Sequence, residues 1–97
     1  MPRALICFND DQCGGAYRAA NQLGLSIGSD LSVVGFDNIP QAATFSPGLT
    51  TVDIHPAEIG RLSSLRVQEM ILSGRQDFTS IVLAPVLIER GSVAKII

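Results

Sequence analysis

Among its 97 residues the sequence has one histidine, two cysteines and no tryptophan. A zinc site needs about four nitrogen, sulfur or carboxylate ligands. Cys7 and Cys13 show no CxxC spacing and His55 is remote in sequence, so the cysteines read as small core residues, not as metal or redox groups. The sequence also lacks a nucleophile elbow, an HExxH, a paired-carboxylate motif, GxGxxG and GxxxxGK[ST]. No catalytic residue, cofactor or phosphate loop is therefore expected, and His55, beside Pro56, reads as an exposed helix-boundary residue. No apolar run approaches the roughly 20 residues that span a bilayer. Met1-Pro2-Arg3 is not followed by a signal-peptide pattern, so the expectation is a cytoplasmic protein with no membrane contact. Basic charge is scarce as well: seven Lys and Arg are scattered through a chain of net charge −2, with a pI near 5.1. Direct DNA binding, which needs clustered cations to neutralise phosphates, is disfavoured.

Total charge is low too. Charged residues make up 16% of the chain, against about 25% in typical soluble domains. A small domain with so few charges has apolar surface to hide, and the cover is either another subunit or another part of the same protein. A hydrophobic fraction of 46% with five Pro and nine Gly describes an ordinary globular fold, and the length suits a single domain over residues 1–97.

What is present reads as α/β. Ala4-Leu5-Ile6-Cys7-Phe8 is a continuous apolar run, the pattern of a parallel strand covered on both faces. Asp10 is placed to cap a helix from about Asp11 to Leu23, whose Cys13, Ala16, Tyr17, Ala20 and Leu23 recur at helical spacing before Gly24. Ser32-Val33-Val34-Gly35-Phe36 is a second strand, giving a right-handed βαβ crossover. Residues 39–49 read as a helical turn and a loop, and Thr50-Thr51-Val52 as a third extended segment. Pro56 opens a helix to about Leu72, with Gly74 beyond its end; its apolar residues cover more than half the circumference, so it needs neighbours on two sides. Ser80–Leu83 and Val86–Glu89 form a last extended piece kinked at Ala84-Pro85.

Ligands of open α/β sheets bind beyond the carboxyl ends of the strands. The crossover places Asn9-Asp10 and Asp37-Asn38 at the same sheet edge. An ionised Asp there accepts charge-assisted hydrogen bonds from sugar hydroxyls or base N–H groups, and Asn both donates and accepts. The competing reading is local, since Asn and Asp at strand ends are most often caps and turns. Gly14-Gly15 lies inside the first helix, where each glycine costs about 1 kcal/mol relative to alanine. A close backbone approach, such as an interface contact, would account for that cost.

The chain resembles the LacI/GalR family of transcriptional regulators. The similarity is carried by Asn9-Asp10 with Gly14-Gly15-Ala16, by Asp30 to Pro40 (DLSVVGFDNIP), and by Ser46-Pro47-Gly48-Leu49-Thr50-Thr51-Val52. Glu58-Ile59-Gly60-Arg61-Leu62 and Leu87-Ile88-Glu89-Arg90-Gly91-Ser92 continue it in the same order. The resemblance implies a type I periplasmic-binding-protein-like fold, of which these residues would form the C-terminal lobe: a three-layer parallel sheet with flanking helices, incomplete here, with the N-terminal lobe and DNA-binding domain absent. It implies effector contacts at Asn9 and Asp37, the effector being a small molecule of sugar type, while Asp10 supports the following helix. It implies a homodimer surface at Gly14, Gly15, Tyr17, Arg18, Phe45, Ser46, Pro47 and Leu49. It further implies that operator DNA is met only through a separate domain, and that the helix from Pro56 to Leu72 belongs against the other lobe. Cys13, Gly15, Ile54 and His55 depart from the family's usual residues, and Ile54 adds an apolar group near the expected effector. A sugar-binding protein of a transporter shares this fold and is the main alternative. A flavodoxin-like or response-regulator domain is a third, hinted at by Asp10-Asp11.

Overall fold

The computed structural model describes residues 2–76 and 79–95. The chain runs β1 (Ala4–Ile6), α1 (Asp10–Gln22), β2 (Ser32–Val34), a 3-10 turn (Pro40–Thr44), β3 (Thr51–Asp53), α2 (Pro56–Ser73) and β4 (Val86–Ile88). β1 and β2 pair in parallel, Ala4 with Ser32 and Ile6 with Val34. Beyond β2 the ladder passes to β3: Val34 and Thr50 form a parallel bridge, and the Gly35 and Asp37 amides donate to the carbonyls of Thr50 and Val52, each at 2.9 Å. β4 closes the far side antiparallel to β3, with Thr51 opposite Ile88. The order is therefore β1-β2-β3-β4, parallel except at its last strand.

One helix covers one face. Cys13 and Ala20 of α1 meet Leu31, Val33, Ala42 and Leu49 in a fully buried cluster, which is the helical spacing the sequence predicts. Leu23, expected on that stripe, is instead the C-cap and 74% exposed, because the helix ends before its side chain can turn inward. Gly35 lets α1 approach the sheet: a Cβ there would stand 2.1 Å from Asp10 Oδ1 and 3.1 Å from Cys13 Sγ. The opposite face is open. Ile6 and Phe8 are 84% and 80% exposed, so β1 is covered on one side only, and two of the three expected layers are present among the described residues.

The closing segment Arg90-Gly91-Ser92 fills the gap where β2 and β3 diverge. Ser92 Oγ donates to Val33 O at 2.5 Å and accepts from the Thr50 amide at 2.8 Å, while Ser92 O accepts from the Val33 amide at 2.9 Å. One serine thus satisfies backbone groups of two strands that no longer reach each other.

α2 stands apart. It begins at Pro56 after His55, ends at Gly74 with φ 69°, and buries none of its residues. The radius of gyration is 18.1 Å, against about 13 Å for a compact chain of this length. Of the last extended piece, only Val86–Ile88 pairs as a strand; 80–85 returns from α2 without ladder bonds, having no strand beside it among the described residues.

Candidate functional site

The carboxyl ends of β1 and β2 meet at one rim. The Asp10 amide donates to Phe36 O at 3.1 Å, so the turn carrying Asn9 and Asp10 sits against the residue that precedes Asp37. Sequence reasoning placed both polar pairs at this edge, and the structure brings all four residues there. Their local roles are sharply different.

Asn9, not Asp10, caps α1: its Oδ1 accepts from the Gln12 amide at 2.9 Å. The helix accordingly starts at Asp10, one residue earlier than the sequence suggests. Asp10 is fully buried beneath the rim, where Oδ1 accepts from Thr51 Oγ1 at 2.6 Å and Oδ2 from the Ile39 amide at 2.9 Å. It braces α1 against β3 and the loop after β2. A carboxylate so enclosed is kept by its donors, since an unpaired buried charge is strongly destabilising.

Asp37 is half-buried at φ 114°, and Asn38 follows at φ 55°. The first value lies outside the small left-handed region open to ordinary residues, and such backbone costs about 1–3 kcal/mol. The turn is held by its surroundings. The Asn38 amide donates to Thr51 Oγ1 at 3.3 Å, Asn38 Nδ2 donates to Asp53 Oδ2 at 3.1 Å, and Asn38 Oδ1 accepts from Arg90 Nη2 at 3.0 Å. Arg90 also donates through Nη1 to Leu49 O at 2.8 Å. Among the described residues, the Asp37 carboxylate makes no hydrogen bond or ion pair of its own.

Asp53 anchors the exit toward α2. It accepts from the His55 amide at 2.8 Å and from Asn38, and these two hydrogen bonds hold its carboxyl below the usual carboxylate range. His55, at φ 58°, places Nε2 3.1 Å from Ala84 O, so its ring joins the outgoing and returning crossings of the chain. Sequence reasoning saw His55 as a boundary residue and missed Asp53, Arg90 and Ser92, whose partners lie up to 59 residues away. Beyond the rim, Phe36 and Ile54 line one end of an apolar groove of about 510 Å³ running to Leu62 and Arg66 of α2 and back to Ile81 and Leu83. The described residues contain no group of three or more potential metal ligands, and no described helix is long and apolar enough to cross a membrane.

The residues expected at a dimer surface form a second patch beside α1. Tyr17 packs edge-on against Phe45, with centroids 5.1 Å apart, and its hydroxyl donates to Pro47 O at 2.8 Å. Burial pushes the Tyr17 phenol above its ordinary value. A Cβ on Gly14 would stand 3.9 Å from Phe45 Cζ, so that glycine faces its own chain, whereas one on Gly15 would meet nothing within 4 Å. Arg18 and Ser46 are exposed. Leu49 is corrected: it is 0% exposed in the core, where its side chain reaches toward Gly35 and cannot touch a second chain.

Comparison with known proteins matches this fold. Residues 1–93 match the family model described as a periplasmic binding protein-like domain. The chain is 40% identical over 93 residues to the HTH-type transcriptional repressor PurR of Proteus mirabilis, and equally to that of Yersinia pestis, covering 96% of this chain and 27% of each repressor. The lac repressor dimer bound to operator and the anti-inducer ONPF superposes with a TM-score of 0.87 at 30% identity, over 97% of this chain and 32% of that one. A LacI family regulator from Enterococcus faecium with bound ribose superposes with a TM-score of 0.90 at 28% identity, over 95% of this chain and 34% of that one. The chain thus spans about a quarter to a third of the proteins it matches. With the family model matching residues 1–93, the chain belongs to the periplasmic binding protein-like domain family, and the proteins it is similar to include LacI-type transcriptional regulators.

Proposed function

We propose that these residues are the effector-sensing and dimerisation portion of a LacI-type transcriptional regulator. The observation that carries the reading is the rim itself. Asn9 and Asp37 converge at the carboxyl ends of parallel strands, and Asp37 is held at φ 114° by a network that leaves its carboxylate to other donors. Strained backbone maintained by its surroundings is a mark of a site that must be pre-shaped. The ligand proposed is a small molecule of sugar type, its hydroxyls donating to Asp37 and meeting the Asn9 amide, with Phe36 and Ile54 offering an apolar flank. The binding chemistry is non-covalent, and no catalytic role is assigned.

A two-lobed cleft needs a second wall, which a further segment of the regulator would supply; closing on the ligand would then shift the population of a DNA-binding state. DNA contact would come from a separate domain, and the protein would work in the cytoplasm. A homodimer would form through Gly14, Gly15, Tyr17, Arg18, Phe45, Ser46 and Pro47. Support comes from the exposed Gly15 and Arg18 and from the dimeric lac repressor as a structural neighbour.

The test is calorimetric titration of the full regulator with ribose and a panel of hexoses, followed by Asp37→Asn. Loss of one charge-assisted hydrogen bond weakens the best ligand about 10- to 100-fold. Unchanged affinity in Asp37→Asn would remove Asp37 from the site, and the absence of sugar binding in the intact regulator would remove the ligand class.

A further inference from the structure

Arg90 stands between the rim and the patch beside α1. Its guanidinium donates in two directions: Nη2 to Asn38 Oδ1 at 3.0 Å, in the turn that carries Asp37, and Nη1 to Leu49 O at 2.8 Å, at the end of the loop that carries Pro47. Both acceptors are neutral, so the shape of the fork, not the pairing of charge, sets these contacts. The rest of the residue is fixed as well. The Arg90 amide donates to Thr50 Oγ1 at 2.9 Å, and Thr50 Oγ1 donates to Arg90 O at 3.1 Å. A Cβ on Gly48 would stand 3.1 Å from Arg90 Cδ, so glycine there gives the stem its room. Tyr17 holds the same loop from its other side, its hydroxyl donating to Pro47 O at 2.8 Å. A continuous run of contacts therefore leads from Tyr17 through residues 47–49 and Arg90 to Asn38 and the strained Asp37.

We propose that Arg90 is a positioning residue that couples the dimer patch to the ligand rim, its planar fork making the Asp37-Asn38 turn and the loop 47–49 shift as one piece. An arginine suits this role because its donors are fixed in one plane and reach two acceptors at once, whereas a lysine ammonium is a single point. Asp37 keeps φ 114° only through its surroundings. Releasing Asn38 from Arg90 therefore loosens the conformation that presents the Asp37 carboxylate, and moving the loop does the same from a distance.

The consequence for sensing is reciprocal: a ligand held by Asp37 changes self-association, and self-association changes ligand affinity by the same factor. That consequence rests on the ligand-sensing reading above. The mechanical link between turn and loop does not, and it is measured without ligand, so failure of sugar binding and failure of the coupling are separate results. Coupling is read as non-additivity, since contact alone does not prove it.

The test is amide hydrogen exchange in the full regulator, comparing the unaltered protein with Tyr17→Phe, Arg90→Gln, Arg90→Lys and the double variant Tyr17→Phe/Arg90→Gln. The amides read are Leu49, bonded to Ala42 O, and Asn38 and Ile39, bonded to Thr51 Oγ1 and Asp10 Oδ2. Tyr17→Phe frees the loop from its far side and is expected to speed exchange about 10-fold at Leu49 and, through Arg90, at Asn38 and Ile39. Arg90→Gln speeds Asn38 and Ile39 by itself, and adding Tyr17→Phe to it is expected to change those two amides no further while still acting on Leu49. Arg90→Lys, which keeps the charge but not the fork, should match Arg90→Gln at Asn38. The proposal is overturned if Tyr17→Phe leaves Asn38 and Ile39 unchanged, if the two substitutions add in full there, or if Arg90→Lys exchanges like the unaltered protein. Should the Arg90 variants fail to fold, nitrogen spectra of the unaltered protein decide: a fork held at both ends gives separate Nη1 and Nη2 signals, and a single averaged signal would sink the coupling.

Discussion

The sheet with α1 and the α2 arm are built from comparably apolar sequence, yet all the burial is on one side. Cys13, Ala20, Leu31, Val33, Ala42 and Leu49 lie in the first, together with the enclosed polar residues Asp10, Thr50, Thr51 and Ser92. α2 carries Ile59, Leu65, Val67, Ile71 and Leu72 at 43–81% exposure. The difference teaches that an amphipathic pattern specifies a helix but not its cover. α1 has a sheet to lie on, and Gly35 admits it; α2 has a length of 18 residues and a Gly74 stop, yet it only lines an open groove and buries none of its residues. Isolated helices gain most of their stability from tertiary packing, so the two regions should answer perturbation unequally.

The largest expected effect is at Asp10. Asp10→Ala removes the acceptor of two hydrogen bonds at the core's centre and should cost about 4 kcal/mol, read as the shift in a denaturant midpoint. Gly35→Ala should follow at about 2–3 kcal/mol, since its Cβ would collide with Asp10 and crowd Cys13 and Leu49. An unchanged midpoint would mean α1 is not seated on β2 as described. Ser92→Ala, which orphans the Thr50 amide and Val33 carbonyl, should cost about 2 kcal/mol by the same measurement. On the arm, Ile71→Ser should change stability by no more than about 0.5 kcal/mol, and α2 amides should exchange hydrogen far faster than those of β2. A core-sized loss at Ile71 would show that a second chain or another segment covers the helix, and the contrast between regions would dissolve.

The smallest effect is electrostatic. Because the Asp53 carboxyl is held below its ordinary value, its contribution is fully present above the unfolded carboxylate range and is lost as pH falls through the lower folded value. Between pH 5 and 8 the link from Asn38 through Asp53 to His55 should be constant. Carboxyl chemical shifts followed toward pH 2 should show it release late; release at the ordinary carboxylate pH would refute the bonds to Asn38 and His55.

Much of the fold was legible because it is written in local periodicity. Strand, helix and strand at 4–36, the helix from Pro56 past Leu72 and its Gly74 stop are all present. Errors fell where a local signal met a tertiary competitor. Asp10 has the chemistry of a cap, but its neighbour Asn9 took that role once Thr51 and Ile39 claimed the Asp10 oxygens. Leu49 sits in a loop that resemblance places at a surface, but its side chain turns inward to complete the core. The rim was legible as two polar pairs at strand ends; its supports were not, because Arg90 reaches Asn38 from 52 residues away.

By itself the sequence determined which segments are helical or extended, which strand ends carry Asn9 and Asp37, and the family through the run from Asp30 to Pro40. Alternation, capping and turn chemistry act over a few residues, so a linear reading captures them. Only the tertiary structure decided that Asp10 is a brace, that Leu49 is core and that α2 buries none of its residues among the described residues. Those outcomes depend on which distant atoms compete for the same donor, cavity or surface, and that competition exists only once the chain has folded.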